Sequence, residues 1–177
     1  YRTYPRMVGE TGGKDIVVAH SSAERSELIT ALIRGSFEYQ GQKCSAASRA
    51  YIAASVWEAI KDELAAETES ITMGDVSDFR YFMGAVIDKS AYDRITGYID
   101  RAQQSDKVEI LAGGTYDDSE GYFIRPTILV TTDPNYETME EELFGPVLTV
   151  YVYPDKEYEK VLDLCDKTSP YALTGAI

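Results

Sequence analysis

Apolar residues alternate along this chain between two patterns, short unbroken runs and rows spaced by three or four positions. The runs are rich in β-branched residues that favour strands, and the spaced rows are typical of helices with buried faces. The predicted strands lie at 15–20, 50–54, 107–114, 122–130, 146–153 and 172–177. Because strand-like and helix-like segments alternate, the pattern predicts an α/β layer fold with a largely parallel sheet.

The first predicted helix starts at Ala23, with Ser21 or Ser22 as its cap, and ends near Tyr39. It carries two apolar rows, so we expect it to be buried on two sides. The rows consist of Leu28 with Leu32, and of Ile29 with Ile33 and Phe37. Gly41 follows the helix directly, which places Cys44 in a glycine-opened turn.

Three further helices are predicted between the remaining strands. One is capped by Ser55, one runs through the middle of the chain, and one is capped by Asp155. Their expected buried positions are Trp57, Ile60, Leu64, Tyr92, Ile95, Ile99 and Ala102. Residues 73–84 are predicted to form a loop, and Pro126 is expected at a sheet edge or a bulge because it cannot donate a ladder hydrogen bond.

Composition narrows the possible classes of protein. The 177 residues are 44% hydrophobic and 27% charged, which is typical of a folded globular domain. The net charge of −13 argues against nucleic acid or an anionic membrane as a partner. No apolar run approaches the roughly 20 residues of a membrane span. No stretch at the start of the chain is typical of a signal peptide.

The two cysteines stand in different settings. Cys165 belongs to a helical row with Tyr158, Val161 and Leu162, which predicts a small buried residue. The other thiol, Cys44, is flanked by small and polar residues in EYQGQKCSAASR. A free thiol outside a core indicates a reducing compartment and is a candidate nucleophile. The local sequence leaves a buried structural role equally open.

Three charged or polar residues are candidate helpers for this thiol. Lys43 beside it would favour the thiolate. His20, the only histidine, follows a predicted strand and would allow a Cys–His hydrolase, although a lone histidine there is more often a surface residue. Glu10 lies among glycines in VGETGGKD, where it is a candidate general base acting through water. An ordinary solvated glutamate explains the same position.

A third stretch, EEELFGPV at 140–147, places carboxylates before an aromatic residue. Carboxylates accept hydrogen bonds from ribose hydroxyls, and an aromatic ring packs against a nicotinamide. An acidic helix end before a turn would have the same sequence. The chain contains no GxGxxG, P-loop or CxxC sequence and no metal-ligand spacing, so no metal is predicted.

Four stretches in order along the chain, GETGGKD, GQKCSA, GYFIRPTIL and EELFGPV, resemble the catalytic domain of the aldehyde dehydrogenase superfamily. The likeness covers essentially the whole chain. YPRMVGETGGKD, FGPVLTVYVYP and FEYQGQKCSA, with Ser45 after the cysteine, are similar to the 1-pyrroline-5-carboxylate (glutamate-semialdehyde) dehydrogenase branch. The resemblance implies that residues 1–177 form a single, three-layer α/β catalytic domain with a largely parallel sheet.

By this resemblance, Cys44 is the nucleophile that attacks the aldehyde carbon of L-glutamate γ-semialdehyde. NAD would accept the hydride, and a water activated by Glu10 would hydrolyse the thioester to glutamate. Glu142 matches the glutamate that holds the nicotinamide ribose, and Phe144 matches the aromatic beside the nicotinamide. Ser45 is expected to help to hold the substrate's α-carboxylate. The backbone N–H of the cysteine is expected to be one oxyanion donor.

The resemblance also carries expectations about the whole enzyme. The family's dinucleotide-binding domain and C-terminal tail would lie outside these residues, so the chain alone is expected to bind NAD poorly and not to turn over. The parent enzyme is expected to be a homo-oligomer in the mitochondrial matrix of a eukaryote, or otherwise in the cytoplasm. Another aldehyde substrate, a non-catalytic relative, and the dehydrogenase half of a bifunctional proline-catabolic protein remain open alternatives.

Overall fold

The computed structural model describes residues 3–10, 12–170 and 172–177. Its strands are β1 (Asp15–Ala19), β2 (Ala47–Ala53), β3 (Val108–Ala112), β4 (Tyr116–Asp117), β5 (Phe123–Ile124), β6 (Thr127–Thr131), β7 (Val147–Tyr153) and β8 (Gly175–Ala176). Its helices are α1 (Arg25–Phe37), α2 (Ala54–Glu69), α3 (Lys89–Gln103), α4 (Glu137–Glu140) and α5 (Tyr158–Thr168), with 3₁₀ turns at Glu38–Gly41 and Asp155–Glu157. None of the helices in these ranges combines the length and the apolar character that a membrane crossing needs.

Six of the described strands form one sheet in the order β3-β6-β7-β2-β1-β8. Only β3 runs antiparallel to its neighbour, β6, and the other pairs are parallel. The predicted largely parallel sheet is therefore confirmed. The sheet order differs from the chain order, since β7 lies beside β2 although about 100 residues separate their starts.

Helices cover both faces of the sheet and make the three layers. Alternate residues of β6 show this, because Ile128 packs with α1 and α2 whereas Leu129 packs with α3. On the α3 face of β2, the Tyr51 hydroxyl donates to Thr168 of α5 at 3.2 Å. All of the positions predicted to be buried in helices, and Cys165, are buried.

Three predicted helix starts are wrong, although the helices themselves are confirmed. The cap of α1 is Glu24, whose carboxylate accepts from the Glu27 N–H at 2.8 Å, because the preceding serines lie in a turn instead. Ser55 does not cap α2, which begins one residue earlier, directly after β2. Asp155 makes no capping bond to α5. It accepts from the Ser55 N–H at 3.0 Å and thereby satisfies a free donor of α2.

Two strand predictions also need correction. Pro126 lies neither at a sheet edge nor at a bulge, but directly before β6, which is an interior strand. The missing N–H interrupts no ladder there, so the proline splits the predicted run 122–130 into β5 and β6. The predicted strand at 172–177 is reduced to the two residues of β8. Residues 73–84 form a loop, as predicted, with one isolated bridge between Met73 and Met83.

Candidate active site

Three of the sequence stretches with candidate chemistry meet at one edge of the sheet. Gly13 lies before β1, Cys44 lies before β2, and Glu142 lies before β7. These strands are adjacent and parallel, and the starts of β1 and β2 are level because Asp15 pairs with Ala47. The amino ends of three neighbouring strands therefore bring together residues that are up to about 130 positions apart.

Close backbone contacts join the three stretches. The Gly13 N–H donates to Glu142 Oε1 at 2.9 Å. A Cβ atom on Gly13 would lie 2.6 Å from the carbonyl oxygen of Cys44, and a Cβ on Gly41 would lie 2.3 Å from that of Gly145. Real Cβ atoms do not approach backbone so closely, so glycine is needed at both positions. A narrow crevice results, lined by both glycines, Glu142 and Phe144.

Cys44 is exposed at the tip of a tight turn. The turn is closed by the Ala46 N–H, which donates to the Lys43 carbonyl at 3.1 Å. Ser45 lies beside it at the tip and is also exposed. Among the described residues, no hydrogen bond engages the Cys44 N–H, which leaves it available as the expected oxyanion donor. The thiol is thus accessible, and its position is fixed by the backbone alone.

Lys43, expected to favour the thiolate, has another partner. Its ammonium lies 2.6 Å from Glu38, and that carboxylate also pairs with Arg34. The hydrogen bond from Lys43 lowers the pKa of Glu38. The lysine therefore anchors the turn to the end of α1, and its charge is shared with that carboxylate.

Cys165 has the opposite environment to Cys44. It is buried in α5, and this burial raises the pKa of its thiol to about 11. A thiol with such a pKa remains protonated at neutral pH and is a poor nucleophile. The sequence-based distinction between the two cysteines is confirmed.

The backbone holds Phe144 outward beside Glu142. Phe144 has a left-handed φ of 50° and is 41% exposed, whereas Leu143 before it is buried. Arg94 of α3 donates to the Leu143 carbonyl at 2.5 Å and so fixes this strained turn. Sequence reasoning missed Arg94, because nothing in its local pattern links it to a residue 49 positions later.

A buried cationic pair lies beneath the glycine-rich stretch. Lys14 and Arg49 are each only 1% exposed, and Arg49 Nε donates to the Lys14 carbonyl at 3.1 Å. Desolvation, reinforced by the charge of Arg49, lowers the pKa of Lys14 to about 7, against the opposing attraction of Glu142 and Glu141. The protein interior next to Gly13 therefore contains a titratable amine.

Glu10 is exposed in an irregular segment three positions before Gly13. Its carboxylate has no hydrogen-bond partner among the described residues, and Thr11 beside it lies outside them. No hydrogen bond between described residues joins Glu10 to Cys44. Its role as the base stays a prediction.

His20 lies at the opposite edge of the sheet from Cys44. It follows the last residue of β1, whereas the thiol precedes the first residue of β2. Because these strands are parallel and level, the five residues of β1 separate the two side chains by about 17 Å. The imidazole instead bonds to Ser22 at 2.9 Å and packs edge-on against Tyr158. The Cys–His hydrolase interpretation is therefore wrong for these residues.

Comparison with known proteins agrees with this geometry. Residues 2–177 match the aldehyde dehydrogenase family. The chain belongs to that family. It is 53% identical over its whole length to a mitochondrial delta-1-pyrroline-5-carboxylate dehydrogenase of Dictyostelium discoideum, and 52% identical to one of Danio rerio. In each case it covers 32% of the relative, so the chain spans about a third of the length of these curated relatives.

Solved aldehyde dehydrogenases show the same fold. A Mycobacterium tuberculosis delta-pyrroline-5-carboxylate dehydrogenase bound with NAD has a TM-score of 0.91 and 54% identity, covering 100% of this chain and 32% of that one. A Thermus 1-pyrroline-5-carboxylate dehydrogenase with bound NAD has a TM-score of 0.85 and 30% identity, covering 94% of this chain and 31% of that one. The resemblance inferred from the sequence motifs is confirmed, as is the α/β fold class.

Proposed function

We propose that the protein containing this chain is an NAD-dependent dehydrogenase that oxidises L-glutamate γ-semialdehyde, the open form of 1-pyrroline-5-carboxylate, to L-glutamate. The observation that carries this proposal is the meeting of Cys44, the Gly13 segment and Glu142 at the amino edge of β1, β2 and β7. The names of the similar enzymes and their identity over the whole chain support the choice of substrate.

In this proposal the Cys44 thiolate adds to the aldehyde carbon and forms a hemithioacetal. The developing oxyanion accepts a hydrogen bond from the free Cys44 N–H. Loss of the hydride from the substrate carbon leaves a thioester on Cys44. Glu10 then removes a proton from water, which attacks the thioester, releases glutamate and regenerates the thiolate.

The described residues fit a nicotinamide cofactor. Glu142 Oε1 accepts one bond from the Gly13 N–H, and its second oxygen has no partner among the described residues and could accept from a ribose hydroxyl. Phe144 is held outward by its left-handed backbone and can pack beside a nicotinamide ring. When bound, NAD supplies the hydride acceptor. Glu142 and Phe144 would then orient the nicotinamide end toward Cys44.

Substrate preference tests this proposal directly. We expect the full-length protein to oxidise 1-pyrroline-5-carboxylate with a kcat/KM about 10²-fold above that for pentanal, which lacks the amino acid end. Ser45→Ala is expected to raise KM for 1-pyrroline-5-carboxylate and to leave the pentanal reaction unchanged. Equal kcat/KM values for the two aldehydes would argue for an aldehyde dehydrogenase of broader specificity.

Glu10→Gln tests the base. We expect steady-state turnover to fall about 10²-fold, because thioester hydrolysis would lose its proton acceptor. The rapid burst of NADH in the first turnover should survive, since hydride loss precedes hydrolysis. Glu27→Gln, at an exposed position of α1, is the matched control. Unchanged steady-state turnover in Glu10→Gln would assign the base to another residue.

The organisation of the whole enzyme is part of the proposal. Residues 1–177 would form its cysteine-bearing catalytic domain, with most cofactor contacts in a separate domain, so the isolated chain would bind NAD weakly and not turn over. The coverage of about 32% of each relative supports this division. We further propose a homo-oligomer without nucleic acid or membrane partners, mitochondrial in a eukaryote and cytoplasmic otherwise.

A further inference from the structure

The chain passes through a strained segment just before Cys44. After α1 ends, Tyr39 has φ 57° and ψ 36°, and Gln40 has φ 59° and ψ 24°. Gly41 continues the left-handed run with φ 65°. Non-glycine residues are disfavoured in this region because the Cβ atom crowds the backbone, so two in succession persist only where surrounding contacts hold them.

Gln40 makes the contacts that hold this segment. Its side chain is buried, with 8% exposed, and both ends of its amide are used. Oε1 accepts from the Gly84 N–H at 3.1 Å, and Nε2 donates to the Ala85 carbonyl at 3.3 Å. Gln42 reaches the same loop, where its Oε1 accepts from the Ile87 N–H at 2.9 Å. Two glutamines therefore fasten the strained segment to residues 84–87.

This attachment controls where the thiol points. Cys44 has no side-chain partner among the described residues, so its direction follows from its backbone turn. On one side that turn continues into β2, and on the other it depends on the left-handed segment. The segment also packs closely against residues 140–147, because Gly41 lies against the carbonyl of Gly145. A change of torsion at Gln40 would move both the turn and this contact.

We propose that Gln40 is a positioning residue that aims the Cys44 thiol at the substrate by holding the left-handed segment to residues 84–87. The inference rests on the proposed function of Cys44 as nucleophile. Gln40 is buried and bonded at both ends of its amide, so we expect it to act on the chemical step through the backbone before Cys44 and not on binding.

Gln40→Met in the full-length protein tests this role, because it keeps the length of the side chain and removes both hydrogen bonds. We expect kcat per folded molecule to fall about tenfold or more while KM values for both substrates stay within about twofold, since misplacing a reacting atom by about 1 Å can reduce the rate 10²-fold. Gln40→Glu keeps the acceptor for the Gly84 N–H and serves if the methionine variant does not fold.

Gln103→Met is the matched control. The Gln103 amide donates to the Gly114 carbonyl at 2.8 Å, and this hydrogen bond lies away from the thiol. It should lower stability without lowering kcat. Wild-type kcat in folded Gln40 variants, or an equal loss of kcat in Gln103→Met, would overturn the inference. Cys44→Ser distinguishes failure of this inference from failure of the proposed function. Full turnover in Cys44→Ser would show that Cys44 is not the nucleophile.

Discussion

Cys44→Ala is expected to abolish NAD-dependent turnover, with a loss of about 10⁴-fold or more, and to leave the fold unchanged. Removing a covalent nucleophile eliminates the thioester route entirely, and losses of this size are typical when such a residue is removed. The fold should persist because Cys44 is exposed at the tip of its turn. Steady-state assay with 1-pyrroline-5-carboxylate, together with circular dichroism, measures both parts.

Two matched variants make this result specific. Cys165→Ala removes the other thiol, which burial keeps protonated, and should retain turnover. His20→Ala should also retain turnover, because the histidine lies at the far edge of the sheet. Alkylation of the wild-type protein, followed by mass spectrometry, should modify Cys44 first and inactivate the enzyme in step. Turnover that survives modification of Cys44 would contradict the assignment.

The fold was predictable from the sequence wherever local pattern determines structure. The row of Tyr92, Ile95, Ile99 and Ala102 predicts α3 because each fourth or third residue faces the core, and all four are buried. Helix starts were predicted less well. Asp155 stands before a helix in the sequence, yet its carboxylate is nearer to the free N–H of Ser55, about 100 residues away. A side chain that could cap the helix following it can instead bond to a residue that is distant in the sequence.

The site could be predicted from the sequence only in part, for the same reason. Family motifs identified Cys44 and Glu142 as candidates. The order of the strands in the sheet brings them together, and local periodicity does not determine that order. Gln40 and Arg94 were missed because their roles come from hydrogen bonds to residues 44 and 49 positions later. Glu10 was singled out by its glycine-rich setting and then by resemblance, and its place in the chemistry stays a prediction.

Lys14 provides a test of the interior beneath the site. Its pKa falls from an ordinary value of 10.5 to about 7, because the folded protein removes the ammonium from water and places Arg49 beside it. Between these two values the unfolded chain binds a proton that the folded chain does not. The contribution of Lys14 to the free energy of unfolding therefore rises with pH from about 7 to about 10.5. Below about pH 7 the folded protein carries the full cost of a buried ammonium.

Lys14→Met should remove this pH dependence. One pKa unit corresponds to about 1.4 kcal/mol. Between pH 8 and pH 10 the free energy of unfolding of the wild-type chain should therefore rise by about 2 to 3 kcal/mol relative to that of the variant. Over the whole window the difference amounts to about 4 to 5 kcal/mol. Arg49, Glu141 and Glu142, the charged neighbours, are present in both proteins, so the comparison isolates the Lys14 amine.

Urea unfolding, followed by the fluorescence of the single tryptophan, Trp57, measures this difference at each pH. All other titratable groups are shared by the two proteins and cancel in the comparison. Lys156→Met, at an exposed position, is the control and should track the wild type at every pH. A constant difference between wild type and Lys14→Met would mean that the Lys14 amine keeps its ordinary affinity for protons. The amine would then have to reach solvent or a carboxylate partner.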